Sequence, residues 1–371
     1  MNLPPRIPLF YLFLFTLLAN LTQAQPAHRS PEVLPDGRVT FRLLAPKAQA
    51  VAVKGLRGPE PRPMTKNADG LWSVTVGPLA PDLYSYTFEV DGATFTDPLN
   101  RRMKEWISQE SLVEVTGKEP LLISRQEVPH GVVHRHMLPS RVRGTEVAVQ
   151  IYTPPGFDPK AAMIYPVLYL LHGFGDEENA WVLAGRANFI TDNLLAKNQV
   201  IPAIIVMTNG HPVPIPGQPR PSDYGQKNNA AMEQELLTVI LPFVEAHYPA
   251  RRDAASRAIV GLSMGGGHAL AIGLSHPDLF GWVGGFSSGI AANGHDERYG
   301  AYARAVAQKT AVPRLLWIGC GEKDFLIEQN KSLIAWLEQN KLPHEWHLTA
   351  GGHEWPVWRD YLAQYMQKIF R

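Results

Sequence analysis

Cysteine is almost missing: Cys320 is the single one among 371 residues. No disulfide can close within the chain, so stability has to come from a buried apolar core. An excess of charge is missing too, with 35 Lys and Arg against 34 Asp and Glu and a formal net charge of +1. So balanced a chain has no footprint for nucleic acid or an anionic membrane surface, and a neutral or weakly charged substrate fits it better. No run after the N-terminal region approaches the roughly 20 apolar residues that span a bilayer. Internal repeats are absent. The phosphate-cradling pattern G-x-x-x-x-G-K-[ST] is also absent, as is G-x-G-x-x-G in a dinucleotide context, which leaves nucleotide chemistry unsupported. His130, His134 and His136 lack the spacing of a closed metal site and have no cysteine beside them. Neither a metal nor a cofactor is expected.

What the chain has in quantity is proline and glycine, 32 and 31 residues, which points to many turns rather than long helices. At 45% hydrophobic and 19% charged it reads as globular, and its length suggests two domains with extras. Residues 1–24 have the form of an export signal. Arg6 precedes an apolar run from Leu9 to Leu18, and Thr22-Gln23-Ala24 offers a small-x-small cleavage site. The mature protein is therefore expected to begin near Gln25, to be secreted or periplasmic, and to have no membrane partner once the signal is removed. The acceptor sequence Asn20-Leu21-Thr22 falls inside that signal.

Residues 25–118 are expected to form a small all-β sandwich. Arg38 to Leu43, Ala50 to Val53 and Leu71 to Val76 alternate with period two, and Asp69-Gly70 supplies a turn. Tyr84, Tyr86, Phe88 and Val90 share one face of a strand that ends in the hairpin pair Asp91-Gly92. The alternation makes Tyr84, Tyr86 and Phe88 core residues. Trp72 and Trp106 are the aromatic residues of this region expected to be exposed. Residues 119–130 are polar and aperiodic, as a linker would be.

From residue 131 to 371 the pattern changes. Short, fully apolar runs (Val167 to Leu171, Ala203 to Met207, Ala258 to Val260, Leu315 to Ile318) are separated by helical stretches such as Met232 to Tyr248 and Lys331 to Gln339. Apolar strands alternating with helices indicate a mostly parallel sheet covered on both faces. Cys320, at the end of the last of these runs, reads as a packed strand residue.

Gly261-Leu262-Ser263-Met264-Gly265 follows such a strand directly and precedes a helical stretch. This is G-x-S-x-G in the strand–turn–helix setting that exposes a nucleophilic serine. A serine hydroxyl needs a base, and in an α/β-hydrolase the acid and histidine follow it in the chain. His353, in the loop Gly351-Gly352-His353-Glu354-Trp355, is the expected base; His344 and His347 read as surface or packing residues. Both Glu322 and Asp324 follow the strand ending at Ile318, where the acid should lie; Asp324 is favoured, with Glu322 read as a loop or pocket-edge carboxylate. The expected oxyanion donors are the backbone N–H groups of Met264 and of Phe174, in the loop His172-Gly173-Phe174-Gly175. His172 is expected to brace that loop, and the Pro-rich loop from His211 to Asp223 to border the site.

Two resemblances add to this. Tyr84-x-Tyr86-x-Phe88-x-Val90-Asp91-Gly92 with Asp97-Pro98-x-Asn100 resembles the early-set sandwich related to glycogen-binding and family-48 carbohydrate-binding modules. The second half resembles the esterase D and family-1 carbohydrate esterase group. The matching residues are Ile151 to Phe157, Leu170 to Gly175 with Asn179-x-Trp181, Gly261 to Gly266, Gly319-Cys320-Gly321-x-x-Asp324, and Gly351-Gly352-His353-x-Trp355-x-x-Trp358. The likeness implies an α/β-hydrolase fold preceded by an immunoglobulin-like sandwich, and it favours Asp324 over Glu322. An early-set sandwich before such an esterase resembles bacterial feruloyl esterases. That implies a serine carboxylic-ester hydrolase acting on an ester-decorated plant polysaccharide or oligosaccharide, with Trp181, Trp355 and Trp358 lining its cleft. Competing readings are a catecholate-siderophore esterase, an acetyl-xylan esterase, and a carbohydrate-binding protein on an inactive hydrolase scaffold.

Overall fold

The computed structural model describes residues 28–105, 107, 109–160, 163–215, 221–310 and 312–371. The expected export signal and Trp106 lie outside the described residues. By contacts the chain divides into two units, residues up to 79 with 87–101, and residues 80–86 with 102–371.

The first unit is all-β. Its elements are β1 (Glu32–Val33), β2 (Val39–Leu44), β3 (Val51–Gly55), β4 (Gly58–Pro63), β5 (Thr65–Lys66), β6 (Leu71–Val76), the end of β7 (Asp82–Val90) and β8 (Ala93–Phe95). One antiparallel sheet has the order β1-β2-β6-β5, while β3 and β4 form a hairpin, as do the end of β7 and β8. Asp91 and Gly92 join the latter pair with φ of 48° and 86°. Two successive left-handed residues are what a tight hairpin of native twist requires. Trp72, expected to be exposed, is only 7% exposed and donates its indole N–H to the Ala45 carbonyl at 2.9 Å. The alternation of β6 turns it inward, and the ring finds its one polar partner there.

The second unit begins with the first half of β7, whose Asp82–Tyr86 segment pairs antiparallel with β10 (Glu110–Val115), which in turn pairs with β9 (Met103–Lys104). An eight-stranded sheet follows. Its strands and the helices between them are β11 (Val132–Ser140), β12 (Thr145–Thr153), β13 (Val167–Leu171), α1 (Ala180–Leu183), α2 (Ala187–Ala196), β14 (Ile204–Thr208), α3 (Tyr224–Glu235), α4 (Leu241–His247), β15 (Arg257–Leu262), α5 (Met264–Ser275), β16 (Trp282–Phe286), α6 (His295–Gln308), β17 (Leu315–Gly321), α7 (Ile327–Gln339), β18 (Glu345–Thr349) and α8 (Trp355–Met366). The spatial order is β11-β12-β14-β13-β15-β16-β17-β18. Only the β11–β12 and β12–β14 pairings are antiparallel, so the sheet is mostly parallel, as expected. In β13 every residue is buried: Val167, Tyr169 and Leu171 belong to one apolar core, Leu168 and Leu170 to the other. A strand covered on both faces needs no polar alternation.

Two expectations shift. The helix expected from Met232 starts at Tyr224 and is interrupted by a π-helical stretch, Leu236–Ile240. Pro242 has no N–H to return to Thr238, and the wider stretch ends just before it. Residues 119–130 do more than link: Ile123 is buried among Leu83, Leu112 and Leu168, and the Asn193 amide donates to the carbonyls of Leu122 at 2.7 Å and Ser124 at 2.9 Å.

Candidate active site

Between β15 and α5 the chain turns through Ser263 with φ 52° and ψ −119°, a conformation most residues avoid. The flanking glycines make the turn possible. A Cβ on Gly261 would come within 2.5 Å of the Gly265 backbone, and one on Gly265 within 2.4 Å of the His172 carbonyl oxygen. The serine's own backbone is fixed: its N–H donates to Phe286 O at 2.8 Å, and its carbonyl accepts from Gly267 at 3.0 Å and Gly289 at 2.7 Å. Ser263 and Met264 remain partly exposed although Gly261, Leu262 and Gly265 around them are buried.

The loop after β13 presses on this turn, since a Cβ on Gly173 would sit 3.2 Å from that of Ser263. His172 braces it. The buried Nε2 accepts from the Gly210 N–H at 2.8 Å, so the proton resides on Nδ1, which donates to Gly173 O at 2.8 Å. Burial holds the His172 pKa below the usual histidine value, so the brace is neutral. Phe174 packs its ring edge-on to His211 at 5.4 Å. Behind the loop, Asn228 donates to Gly210 O at 2.9 Å and lies 3.3 Å from Nε2 of the buried His268. The Asn209–His211 segment is tied down by Arg143, which donates to both of their carbonyls and to the fully buried Glu235 at 2.7 Å.

After β17 the chain turns at Asp324, whose carboxylate is buried and accepts the His353 Nδ1–H at 2.9 and 3.0 Å. The Leu326 N–H donates to it at 2.8 Å, and the Ser287 hydroxyl also bonds it. Burial pushes the Asp324 pKa up, but these donors, His353 and Ser287 foremost, outweigh it and leave it below the usual carboxylate range. Glu322 is exposed, with its own N–H bonded to Thr349 O at 2.8 Å. The geometry therefore pairs Asp324, and not Glu322, with the histidine. Beside them the buried Cys320 thiol is pushed up to about 12, first by burial and then by Asp324, and is inert at neutral pH.

Sequence reasoning passed over two residues here. Ser287, just past β16, has φ 46° and its hydroxyl accepts the Trp358 indole N–H at 3.0 Å while bonding Asp324. Phe325 lays its ring 4.4 Å from the His353 ring. Neither carries a local motif; the only hint was the serine pair after the glycines of β16.

The three tryptophans expected to line a cleft take other positions. Trp181 is 1% exposed and donates its N–H to Leu171 O at 3.0 Å, and Trp358 is 5% exposed with its ring centroid 4.8 Å from that of His353, the two rings nearly perpendicular. Half-buried Trp355 meets both edge-on, at 5.2 and 5.4 Å. The rings of Trp181 and Trp358 are apolar filling whose single N–H groups find partners inside, Leu171 O and Ser287 Oγ, so these two support the histidine loop rather than face a substrate. The three histidines of β11 and the residues before it also go separate ways: His130 to Asp192, His134 to Thr153 and His136 to Tyr248. Among the described residues no group of three or more His, Cys, Asp or Glu is placed to hold a metal ion, and no helix is long and apolar enough to cross a membrane.

Residues 140–369 match the family described as "Putative esterase", and residues 27–106 match Carbohydrate-binding module 48 (Isoamylase N-terminal domain). The chain is 29% identical over 354 residues to an endo-1,4-beta-xylanase/feruloyl esterase of Xylanibacter ruminicola, covering 94% of this chain and 47% of that protein. It thus spans about half the length of that relative. An acetyl esterase of Caldicellulosiruptor saccharolyticus is 23% identical over 236 residues, 54% of this chain and 83% of that one. Among solved structures, a ferulic acid esterase from Anaeromyces mucronatus superposes with TM-score 0.59 at 25% identity, covering 67% of this chain and 94% of the other. The enterochelin esterase of Shigella flexneri gives TM-score 0.63 at 19% identity over 93% of this chain and 96% of that one, a likeness of fold alone.

Proposed function

Because the chain belongs to this esterase family, whose match spans residues 140–369, we propose that it is a secreted serine carboxylic-ester hydrolase releasing hydroxycinnamoyl groups from plant cell-wall carbohydrate. One observation carries the chemistry: His353 is held at Nδ1 by both oxygens of buried Asp324, in the chain order that follows a serine in a strained elbow. Ser263 Oγ gives its proton to His353 Nε2 as it attacks the ester carbonyl, and the N–H groups of Met264 and Phe174 take the developing oxyanion. The imidazolium, steadied by Asp324, returns the proton to the departing alcohol. A water deprotonated by His353 then opens the acyl-enzyme and frees the carboxylic acid. The hydroxycinnamoyl group and the polysaccharide are supported by the names of the Xylanibacter and Anaeromyces relatives and by the carbohydrate-binding-module match in front.

Stopped-flow hydrolysis of methyl ferulate tests the reading. The wild type should show turnover through an acyl-enzyme, and Ser263→Ala should lose at least about a thousandfold, the scale on which such a nucleophile contributes. Retained turnover in Ser263→Ala would refute the assignment. Parallel assays on acetylated xylan and a cyclic catecholate triester decide between this acyl group and its competitors.

A further inference from the structure

Phe325 is 71% exposed, more than any other large apolar side chain among the described residues. The backbone on either side of it is hydrogen-bonded. It occupies the turn between Asp324 and Leu326, where Ile327 N–H bonds to Asp324 O at 3.1 Å and Leu326 N–H bonds to the Asp324 carboxylate at 2.8 Å. The imidazole of His353 thus has two aromatic neighbours of opposite kind. Trp358 is buried and reaches it edge-on, whereas Phe325 is open to solvent and tilted at 47° over it, with centroids 4.4 Å apart. A ring so exposed contributes little to the core, so packing does not account for it.

We propose that Phe325 is the platform for the alcohol half of the ester, taking a neutral sugar ring by its C–H face. The inference rests on the function proposed above and names the side of the site that binds carbohydrate. His353 has to bring its Nε2 within about 3 Å of the departing oxygen to protonate it. An aromatic face centred 4.4 Å from the imidazole therefore lies within one sugar's width of that oxygen. The acyl half is held elsewhere, on Ser263 and beside the amides of Met264 and Phe174. Phenylalanine has no polar atom, so what it selects is a flat apolar face, such as the axial C–H face of a pyranose, and not a hydroxyl pattern. The protein's near-zero net charge suits an uncharged partner of this kind.

The test compares full-length wild type, Phe325→Ala, Phe325→Trp and Phe325→Leu on two ferulate esters, one of methanol and one of an oligosaccharide. Phe325→Ala should raise KM for the sugar ester and cut its kcat/KM about fivefold to tenfold more than that for methyl ferulate, the size of one lost aromatic contact. Phe325→Trp should restore the preference and Phe325→Leu should not, because a branched aliphatic chain offers no face. Equal losses on both esters, or no loss on either, would overturn the platform while leaving the esterase standing. Wild type that turns over neither ester would remove both.

Discussion

Ser287→Gly isolates a single hydroxyl beneath the acid. The serine sits at φ 46°, in the left-handed region that glycine adopts freely. The substitution therefore relieves backbone strain of about 1 kcal/mol, which roughly offsets the entropy glycine adds to the unfolded chain. What is lost is the bond to the Asp324 carboxylate and the acceptor for the Trp358 indole N–H at 3.0 Å. A hydrogen bond to a charged group is worth about 1.5–3 kcal/mol, and an indole left unpaired in the interior costs about 1–3 kcal/mol more. A net loss of roughly 2.5–6 kcal/mol is expected from urea unfolding, and about the same for Ser287→Ala, which neither relieves the strained φ nor adds entropy to the unfolded chain. The kinetic effect has a sign. Ser287 is one of the donors holding Asp324 below the usual carboxylate range, so without it the carboxylate becomes more basic. A more basic carboxylate binds the imidazolium more tightly, so the acid limb of the kcat/KM profile should move to higher pH. The freed carboxylate also loses a positioning contact, so kcat/KM at its plateau should fall about tenfold. Methyl ferulate hydrolysis followed from about pH 4.5 to about pH 9 on both variants reads these together. Wild-type limb and plateau in both variants would refute the role given to Ser287.

Two further substitutions probe the frame behind the site. Burial depresses the His268 pKa to about 3, so the folded state binds fewer protons than the unfolded one as pH falls from about 6.5, and stability drops by about 2 kcal/mol at pH 5. His268→Gln keeps an acceptor for Asn228 and should lose less of its urea midpoint between pH 7 and pH 5; an equal loss would sink the argument. Arg143→Met strands the fully buried Glu235, and a cost of about 3–5 kcal/mol is expected in thermal or urea unfolding, recovered in large part by adding Glu235→Gln. A change below about 1 kcal/mol would mean that the pair is not holding the Asn209–His211 segment.

What could be read from the chain alone was whatever has a short-range cause. The elbow announced itself because two glycines and a serine must stand at fixed spacing, and the order Ser263, Asp324, His353 follows from the strands that deliver them. Position admits both Asp324 and Glu322, which occupy the same loop; the chain and the likeness to other esterases each favour Asp324, and the fold is what pairs it with His353. Strand β11 was missed because its histidines and Pro139 blur the alternation, and β16 because Gly284 and Gly285 look like turn residues. In the structure they are small to make room: a Cβ on Gly284 would meet Val260 at 2.8 Å, and one on Gly285 would meet the Ser288 hydroxyl at 2.3 Å. The tryptophans misled for a related reason. Aromatic residues near a catalytic histidine suggest a cleft, and only tertiary structure shows that Trp181 and Trp358 spend their N–H groups on Leu171 and Ser287. Ser287 and Phe325 meet Trp358, Asp324 and His353 through contacts between distant parts of the chain, which no spacing records.

The ion pairs at the start of the second unit bear on how such proteins can be taken apart and recombined. Arg359 of α8 gives its guanidinium to Ala184 O at 2.7 Å and to Asp82 at 2.8 Å, and Arg186 meets Glu114 at 2.7 Å. Asp82 and Glu114 lie well before residue 131, where the sequence pattern turns to alternating strands and helices. A hydrolase excised at that point would carry two arginines stripped of their carboxylate partners and an uncovered patch where Leu83, Leu112 and Ile123 now pack. The seam at which this chain can be cut is not the seam that its sequence displays. An ancestral fusion or a designed swap that respects only the visible boundary would inherit the catalytic loops and leave behind part of their foundation.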